Sequence, residues 1–512
     1  MFTKKIALAC FLIACLVTMA KAQGNSNILK LSKADGKTWA AEMAEYSKIS
    51  MKGKPVPDLS HIQIISPSFI KVYPSGFSSV KKTAGVITYT DIANIQWAAD
   101  NVSPGGTVRL MTKDPDDNTL KTFFFGHINN GKYDKNLDFT NDKYQGITDF
   151  IELHQSVKIE GERLAGSGLG KDWKIGDPNN QDFKILGGTI KSDRATIYGG
   201  GAASLGVVYC DPNTANVDSE ISGIRFDSPL VTALGLHACG SGGTKINDNV
   251  ITNIIPQLNP FRTAIWTQGI FVGNPWWSSI QGPVIVENNL IQPLGDDPAN
   301  DPTTNKWISY TPIWLVATNL LASGSVSNNI IKNSPGWGMG FDYCDGSYPI
   351  TVEGNIVSHR NYSMSQAYPS GMFQDYSNNI HFVNNKIDGA KFVGIGLIAG
   401  INFNGDFAGH DNEVLNNIIT MEGYEGIDCD QETNDKITNN TISGIGYYGI
   451  NLYDGANNDT IKVGVNKLNG LTLYPGGYHI NLDSSTSNIT VNCNGATGLN
   501  VNNQGSNTIN CP

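Results

Sequence analysis

From about residue 220 onward the chain repeats a short phrase, an apolar residue, one or two Asn, then one or two apolar residues. It reads Ile246-Asn247-Asp248-Asn249-Val250, Val286-Glu287-Asn288-Asn289-Leu290 and Val326-Ser327-Asn328-Asn329-Ile330, and it recurs as far as Val465-Asn466-Lys467-Leu468. The last Asn of each copy falls at 249, 289, 329, 355, 385, 417, 440 and 466, a loose period of 23 to 40 residues. A second phrase, Gly-apolar-x-apolar-x, lies upstream of the Asn copies, as in Gly269-Ile270-Phe271-Val272-Gly273, Gly338-Met339-Gly340-Phe341-Asp342 and Gly426-Ile427-Asp428-Cys429-Asp430. In both phrases the apolar positions alternate with period two, and Gly, Asn or Asp breaks every run. That pattern predicts short strands joined by tight bends and disfavours helices. One such repeat cannot bury its apolar face alone, so neighbours must stack into a solenoid. Asn suits the bends because it tolerates left-handed backbone geometry and bonds its own backbone, and in register its amides form ladders.

The entry to the repeats has its own pattern. Thr90 is placed to cap a helix whose apolar face is Ile92, Ile95, Ala99 and Val102, followed by Ser103-Pro104-Gly105-Gly106 and a strand Thr107-Val108-Arg109-Leu110. Val157-Lys158-Ile159-Glu160-Gly161-Glu162 reads as an early coil strand. Together these features resemble the right-handed parallel β-helix proteins, the pectin lyase-like superfamily. The resemblance implies an all-β fold, a single-stranded right-handed parallel β-helix over residues 85–512, with an N-terminal capping helix that covers the open edge of the first coil. It is specific for fold and not for activity. Residues 23–84 hold one candidate helix around Lys37 to Ser50 and no repeat, and they are read as an N-terminal extension of uncertain order.

Composition sharpens this. At 512 residues the chain would suggest about three domains, but a solenoid absorbs the length into one. Charged residues make up 16%, and Gly, a bend residue of the coils, occurs 56 times. The net charge of −10 argues against nucleic acid, which needs a basic face. Residues 1–22 read as a secretory signal, with Lys4 and Lys5, the apolar stretch Ile6 to Met19 and the small-x-small site Ala20-Lys21-Ala22. Leu12-Ile13-Ala14-Cys15 resembles a lipobox, so lipoprotein anchoring is a second reading. The mature chain is expected to be secreted or at the cell surface, monomeric and without a membrane span. Removing the signal leaves Cys210, Cys239, Cys344, Cys429, Cys493 and Cys511, too few for a disulfide scaffold. Val491-Asn492-Cys493 and Ile509-Asn510-Cys511 repeat one pattern 18 residues apart, which predicts a disulfide between neighbouring turns. Two buried free thiols are the alternative.

Stacking the Gly-led strands converts sequence into surface columns, because matching positions lie about 4.8 Å apart. The first outward column is His237, Phe271, Trp314, Gly340, Phe373, Gly396, Asp428 and Asn451. The second is Cys239, Gly273, Val316, Asp342, Asp375, Ile398, Asp430 and Tyr453. Phe271, Trp314, Phe373 and His237 are the expected substrate-binding residues, with Trp276 and Trp277 in the adjoining loop. Asp342, Asp375, Asp428 and Asp430 are the expected catalytic residues, with Asp345 and Glu432 just beyond. Aromatic faces beside carboxylates suit a sugar, since pyranose faces stack on rings and paired carboxylates serve as general acid and base. Outward Asp residues that are merely solvated or satisfy turn backbone are the competing reading. A Ca2+ site of stacked carboxylates is another, although no cofactor is required.

The chain lacks the Asn-Thr-Asp, Gly-His-Gly and Arg-Ile-Lys motifs of polygalacturonase-like members, and Gly409-His410-Asp411 is only a partial echo. Pectate lyase-like members use Arg or Lys as base; the two columns contain neither, while Arg360 and Lys391 lie in nearby turns. The expectation is an exported carbohydrate-active protein with a polysaccharide or glycan partner. It is read as a glycoside hydrolase or polysaccharide lyase working in a groove along the outward strand face. The alternative is a non-catalytic glycan-binding or adhesin-like surface protein.

Overall fold

The structure, a computed structural model, describes residues 57–75, 80–83, 86–125, 151–153, 155–164, 194–198, 205–207, 218–227, 232–237, 243–252, 254, 257–258, 264–273, 282–292, 307–316, 323–334, 336–344, 346, 348–359, 370–401, 407–453, 462–493 and 498–511. The proposed signal and the candidate helix at Lys37 to Ser50 lie outside these residues.

The alternating strands wind into a right-handed parallel β-helix. One sheet of 15 strands runs from Ile62–Ser66 to Ser506–Asn510, and a second sheet has 21 strands. The second sheet interleaves two ladders. One runs through Val250–Thr252, Leu290–Gln292, Ile330–Ser334, Ile356–His359 and Lys386–Ala390. The other runs through Ala264–Gly273, Trp307–Val316, Met339–Asp342, Met372–Asp375 and Val393–Ile398. In the later coils the two fuse into single long strands, Ile418–Asp430, Thr441–Tyr453 and Lys467–Leu482. Each coil therefore has three faces. We call the long sheet the first ladder and the interleaved two the second and third. Coil-to-coil pairings in all three ladders are parallel, and only Ile62–Ser66 with Phe69–Val72 and Gln257–Leu258 with Ala264–Gly273 pair antiparallel among the described strands of these sheets; a parallel crossover takes the right hand because twisted strands pack back only that way. Among the described residues no helix is long and apolar enough to cross a membrane.

The interior is a set of apolar stacks. Ile221, Ile246, Val286, Val326, Val352, Phe382, Val414 and Ile437 are fully buried from the first ladder, and Ile270, Ile313, Met339, Met372, Ile395, Ile427 and Ile450 from the third. A continuous file of buried residues has no polar-free alternative at the bends, and there the Asn phrase does two jobs. The residue before each ladder Asn except the last, Asn466, takes the left-handed conformation: Asp248, Asn288, Asn328, Gly354, Asn384, Asn416 and Asn439 have φ between 53° and 64°. The next residue turns inward and builds the amide ladder. Asn249, Asn289, Asn329, Asn355, Asn385, Asn417 and Asn440 each donate Nδ2 to Oδ1 of the Asn one coil on, ending at Asn466, over 2.9–3.1 Å. Each Oδ1 also accepts the preceding coil's Asn backbone N–H, at 2.9–3.0 Å. The buried amide is thus satisfied at every rung, which is what burying a polar group requires.

The first ladder begins upstream of residue 85, inside the stretch read as an extension. Phe69–Val72 pairs parallel with Gly106–Leu110, and Ile62–Ser66 covers its outer edge antiparallel. The physical reason is that an apolar coil end needs a paired edge as well as a lid. The helix Thr90–Asn101 buries Ile92, Ile95, Ala98 and Ala99. Its buried Asp91 ties the cap to the coil by accepting Ser75 N at 2.9 Å, Ser75 Oγ at 2.6 Å and Phe124 N at 2.8 Å. At the other end Cys493 and Cys511 form a disulfide with Cα atoms 4.8 Å apart, while Cys344 and Cys429 are buried within the coils.

Candidate functional site

The outward positions of the third ladder form two columns. Phe271, Trp314, Gly340, Phe373, Gly396, Asp428, Asn451 and Asn481 are in register in one. Gly273, Val316, Asp342, Asp375, Ile398, Asp430 and Tyr453 are in register in the other. All four candidate aspartates thus stand on one face. His237 is the exception among the candidates: it pairs with Gly273, and Gly235 pairs with Phe271, so His237 belongs to the second column. A slip of two residues keeps the strand's face and moves only the column, so alternation alone does not detect it. Trp276, Trp277, Asp345 and Arg360 lie outside the described residues.

The aromatic column is spaced by glycine. Phe271 meets Trp314 edge-on at 5.5 Å, and Trp337 meets Phe373 at 4.2 Å. A Cβ on Gly340 would come within 3.2 Å of Trp314 and 3.3 Å of Phe373, so a larger residue would push the rings apart. Trp314 and Phe271 are half-buried and Phe373 is buried.

The acidic column is chemically unusual. Asp342 and Asp375 sit on adjacent coils, about 4.8 Å apart by strand spacing, and are 4% and 2% exposed. Asp342 Oδ2 accepts the Trp314 indole N–H at 2.8 Å, but Oδ1 of Asp342 and Oδ1 of Asp375 are buried with no hydrogen-bond partner among the described residues. Burial pushes the Asp342 carboxyl up to about 7 against the lowering effect of Trp314. Burial first, then the charges of Asp342 and Asp430, hold Asp375 well above the usual carboxylate range. Each aspartate is followed by a tyrosine in the left-handed region, Tyr343 at φ 55° and Tyr376 at φ 52°. Bulky side chains avoid that region, and such strain concentrates at functional sites. The two rings stand 5.2 Å apart, and burial plus the aspartate charges raise both phenols, Tyr376 to about 12. The repeated Asp-Tyr dipeptide is the readable trace of this pair, and the outward columns do not contain it because the tyrosines follow the strands.

The other acids separate in role. Asp430 is half-buried, two coils beyond Asp375. Asp428 is buried and satisfied, accepting Asn451 Nδ2 at 3.3 Å and the Tyr453 hydroxyl at 3.1 Å. Its elevation comes from burial and then from Glu425. Asn451, Asn481 and Asn502 continue that column as a second amide chain with bonds of 2.7 Å. Glu432 points inward, not out with the column: it is fully buried, accepts the Gln374 side chain and takes Asn412 Nδ2 at 2.8 Å. The cause is Gln374, a polar residue in the inward file that needs a partner inside the coil. Lys391 is engaged with Glu422 at 3.9 Å. Among the described residues no group of three or more His, Cys, Asp or Glu is arranged to hold a metal ion.

No protein-family model matches the chain, and no curated protein matches it in sequence. Solved structures similar to it include DFA-IIIase from Arthrobacter chlorophenolicus A6 in complex with GF2, at 12% identity and TM-score 0.43 over 82% of this chain and 91% of that one. A mutant tailspike protein of E. coli bacteriophage HK620 in complex with a pentasaccharide gives 12% identity and TM-score 0.40, over 82% and 74%. The A-module of the mannuronan C-5 epimerase AlgE6 of Azotobacter vinelandii gives 9% identity and TM-score 0.22, over 85% and 95%.

Proposed function

We propose that the protein is an exported polysaccharide-cleaving enzyme, an acid-base glycoside hydrolase whose site is the outward face of the third ladder. The observation that carries this reading is the buried Asp342–Asp375 pair, each with an oxygen that no group among the described residues satisfies. Two carboxyls this close and this dry cannot both ionise at neutral pH, so the pair keeps a proton. That proton passes to the glycosidic oxygen as the C–O bond breaks. Asp430, half-buried, takes a proton from the water that attacks the anomeric carbon and then gives it up to solvent, and solvent restores the proton that the pair donated. Trp314 and Phe271 offer ring faces to the sugar. Asp375 and Asp430 are two coils, or about 10 Å, apart by strand spacing, which is nearer the separation of inverting enzymes, roughly 6.5 to 9.5 Å, than that of retaining ones at about 5 Å.

Elimination is the second chemistry. It would need a basic residue at the acidic column, and Lys391 is instead engaged with Glu422. The test is incubation of the full chain with a polysaccharide panel, reading reducing ends and ultraviolet absorbance together. Reducing ends alone, released with inversion at the anomeric carbon, are expected. Absorbance with reducing ends means elimination, and neither on the whole panel means a glycan-binding protein.

A further inference from the structure

At the bend that leads from the second ladder into the third, aromatic rings stack from coil to coil. Phe392 and Tyr424 stand 6.1 Å apart, Tyr424 and Tyr447 5.2 Å, and Tyr447 and Tyr474 5.0 Å. Beside them Tyr448 and Tyr478 lie parallel at 6.4 Å with an interplanar angle of 2°. Tyr424 and Tyr447 are each 36% exposed, and Ile445 beside them is 38% exposed. Phe392 and Tyr474 at the two ends of the row are half-buried, and Tyr424 and Tyr447 between them are exposed; such a row over four successive coils is not needed for the core, which the inward Ile and Leu files already fill. Single exposed aromatics are ordinary, but a continuous row of them marks a binding surface.

We infer that this tyrosine ribbon is a binding platform for a neutral polysaccharide chain lying along the coil axis, with sugar faces stacked on successive rings. This rests on the hydrolase reading for what happens to the chain and extends it to where the chain is held. Three observations point to this occupant. The rings are spaced by the coil rise, so the ribbon repeats in one direction only, as a linear polymer does. Tyrosine presents both a face for the sugar ring and a hydroxyl for its alcohols. The ribbon also joins the acidic face: Tyr448 is in register with Glu425, which accepts Asn451 Nδ2 at 3.0 Å, and Asn451 bonds Asp428. Along the axis the coils of Phe392 and Tyr424 are those of Ile398 and Asp430, so a chain on the ribbon runs past the acidic column. Charge selects the class of polymer. Glu422 and Glu425 flank the rings, Lys391 is held by Glu422, and the chain carries a net charge of −10. An anionic chain would meet repulsion there, and a neutral one would not.

The test is affinity electrophoresis of the full chain in gels containing hydroxyethyl cellulose, galactomannan, xylan or polygalacturonate. It uses the wild type, Asp342→Asn, Tyr447→Ala, the double variant Tyr424→Ala with Tyr447→Ala, and Tyr447→Phe as the ring-preserving control. At least one neutral polymer should retard the wild type and Asp342→Asn alike. Polygalacturonate should retard neither. Tyr447→Ala should weaken retardation roughly tenfold, and Tyr447→Phe by much less. The inference is overturned if no neutral polymer retards the wild type, if the double variant is retarded equally, or if polygalacturonate binds more tightly. It is also overturned if the substitutions abolish self-association, or binding to phosphatidylcholine vesicles, and leave polysaccharide binding intact. Retardation without any release of reducing ends sinks the hydrolase reading and keeps the platform. Cleavage of the polymer at an unchanged rate in the double variant, without retardation, does the reverse.

Discussion

Replacing Asp342 with Asn should make the protein more stable and less active, and the size of both effects depends on pH. The carboxyl is lifted from 3.8 to about 7 by burial. A group whose folded value lies above its unfolded value favours the fold only while protonated. Below about pH 4 both states hold the proton and the substitution should be silent. As pH rises towards 7 the unfolded chain releases its proton while the folded one must keep it or bury a charge, so wild-type stability falls. Above 7 the full penalty is reached, on the order of 2 to 4 kcal/mol. Asn cannot ionise, and its Oδ1 still accepts the Trp314 indole N–H. The variant should therefore match wild type at pH 4 and exceed it by that amount at pH 8. Because a solenoid need not unfold in one step, the measurement is hydrogen exchange of the strands Met339–Asp342 and Met372–Asp375 at several pH values, alongside chemical denaturation. In the same variant, release of reducing ends should drop by about 10²- to 10⁴-fold if Asp342 belongs to the acid. Equal stability differences at pH 4 and pH 8, or a variant less stable at pH 8, would refute the argument.

Trp314→Phe removes the donor that lowers Asp342, so the carboxyl should rise further and the alkaline limb of the activity profile should move up by about one pH unit; a limb that stays or moves down excludes Asp342 as the titrating group. Asn355→Ala strips four side-chain bonds from the ladder, to Asn329 N and Nδ2, Val326 O and Asn385 Oδ1. Leaving buried donors unpaired should cost about 3 to 5 kcal/mol, read by denaturation and by exchange at the neighbouring rungs, with a loss below about 1 kcal/mol counting against the ladder's role. Cys493→Ser opens an 18-residue loop at the C-terminal edge and should cost about 3 kcal/mol, matched by mild reduction of the wild type, with exchange speeding up in Ser487–Asn492 and Ser506–Asn510 only.

The architecture was legible because a β-helix writes its geometry locally. Period-two alternation gives the strands, and the eight Asn positions from 249 to 466 mark the bends and turn out to be one hydrogen-bonded file. The same alternation assigned Asp342, Asp375, Asp428 and Asp430 to one outward face, since parity is fixed once a strand is. It does not fix register, and so it reads His237 one column away from where it pairs. It also could not tell an inward from an outward acid beyond a strand end: Glu432 turns in because Gln374, a distant residue in sequence, waits inside the coil. The roles of Asp428, closed off by Asn451 and Tyr453, and of the unsatisfied pair Asp342 and Asp375 depend on which atoms meet across coils.

By itself, then, the sequence determined the repeat, the bends, the candidate disulfide and the face on which the acids stand, because each of these is set by neighbours a few residues apart or by a recurring phrase. Only the tertiary structure decided which acids are dry, which are paired, that Tyr343 and Tyr376 are held in a strained backbone beside them, and that Phe392, Tyr424, Tyr447 and Tyr474 form one ribbon. Those properties arise from burial and from contacts between coils whose separation in sequence varies from turn to turn, and loops of unequal length erase them from any pattern read along the chain.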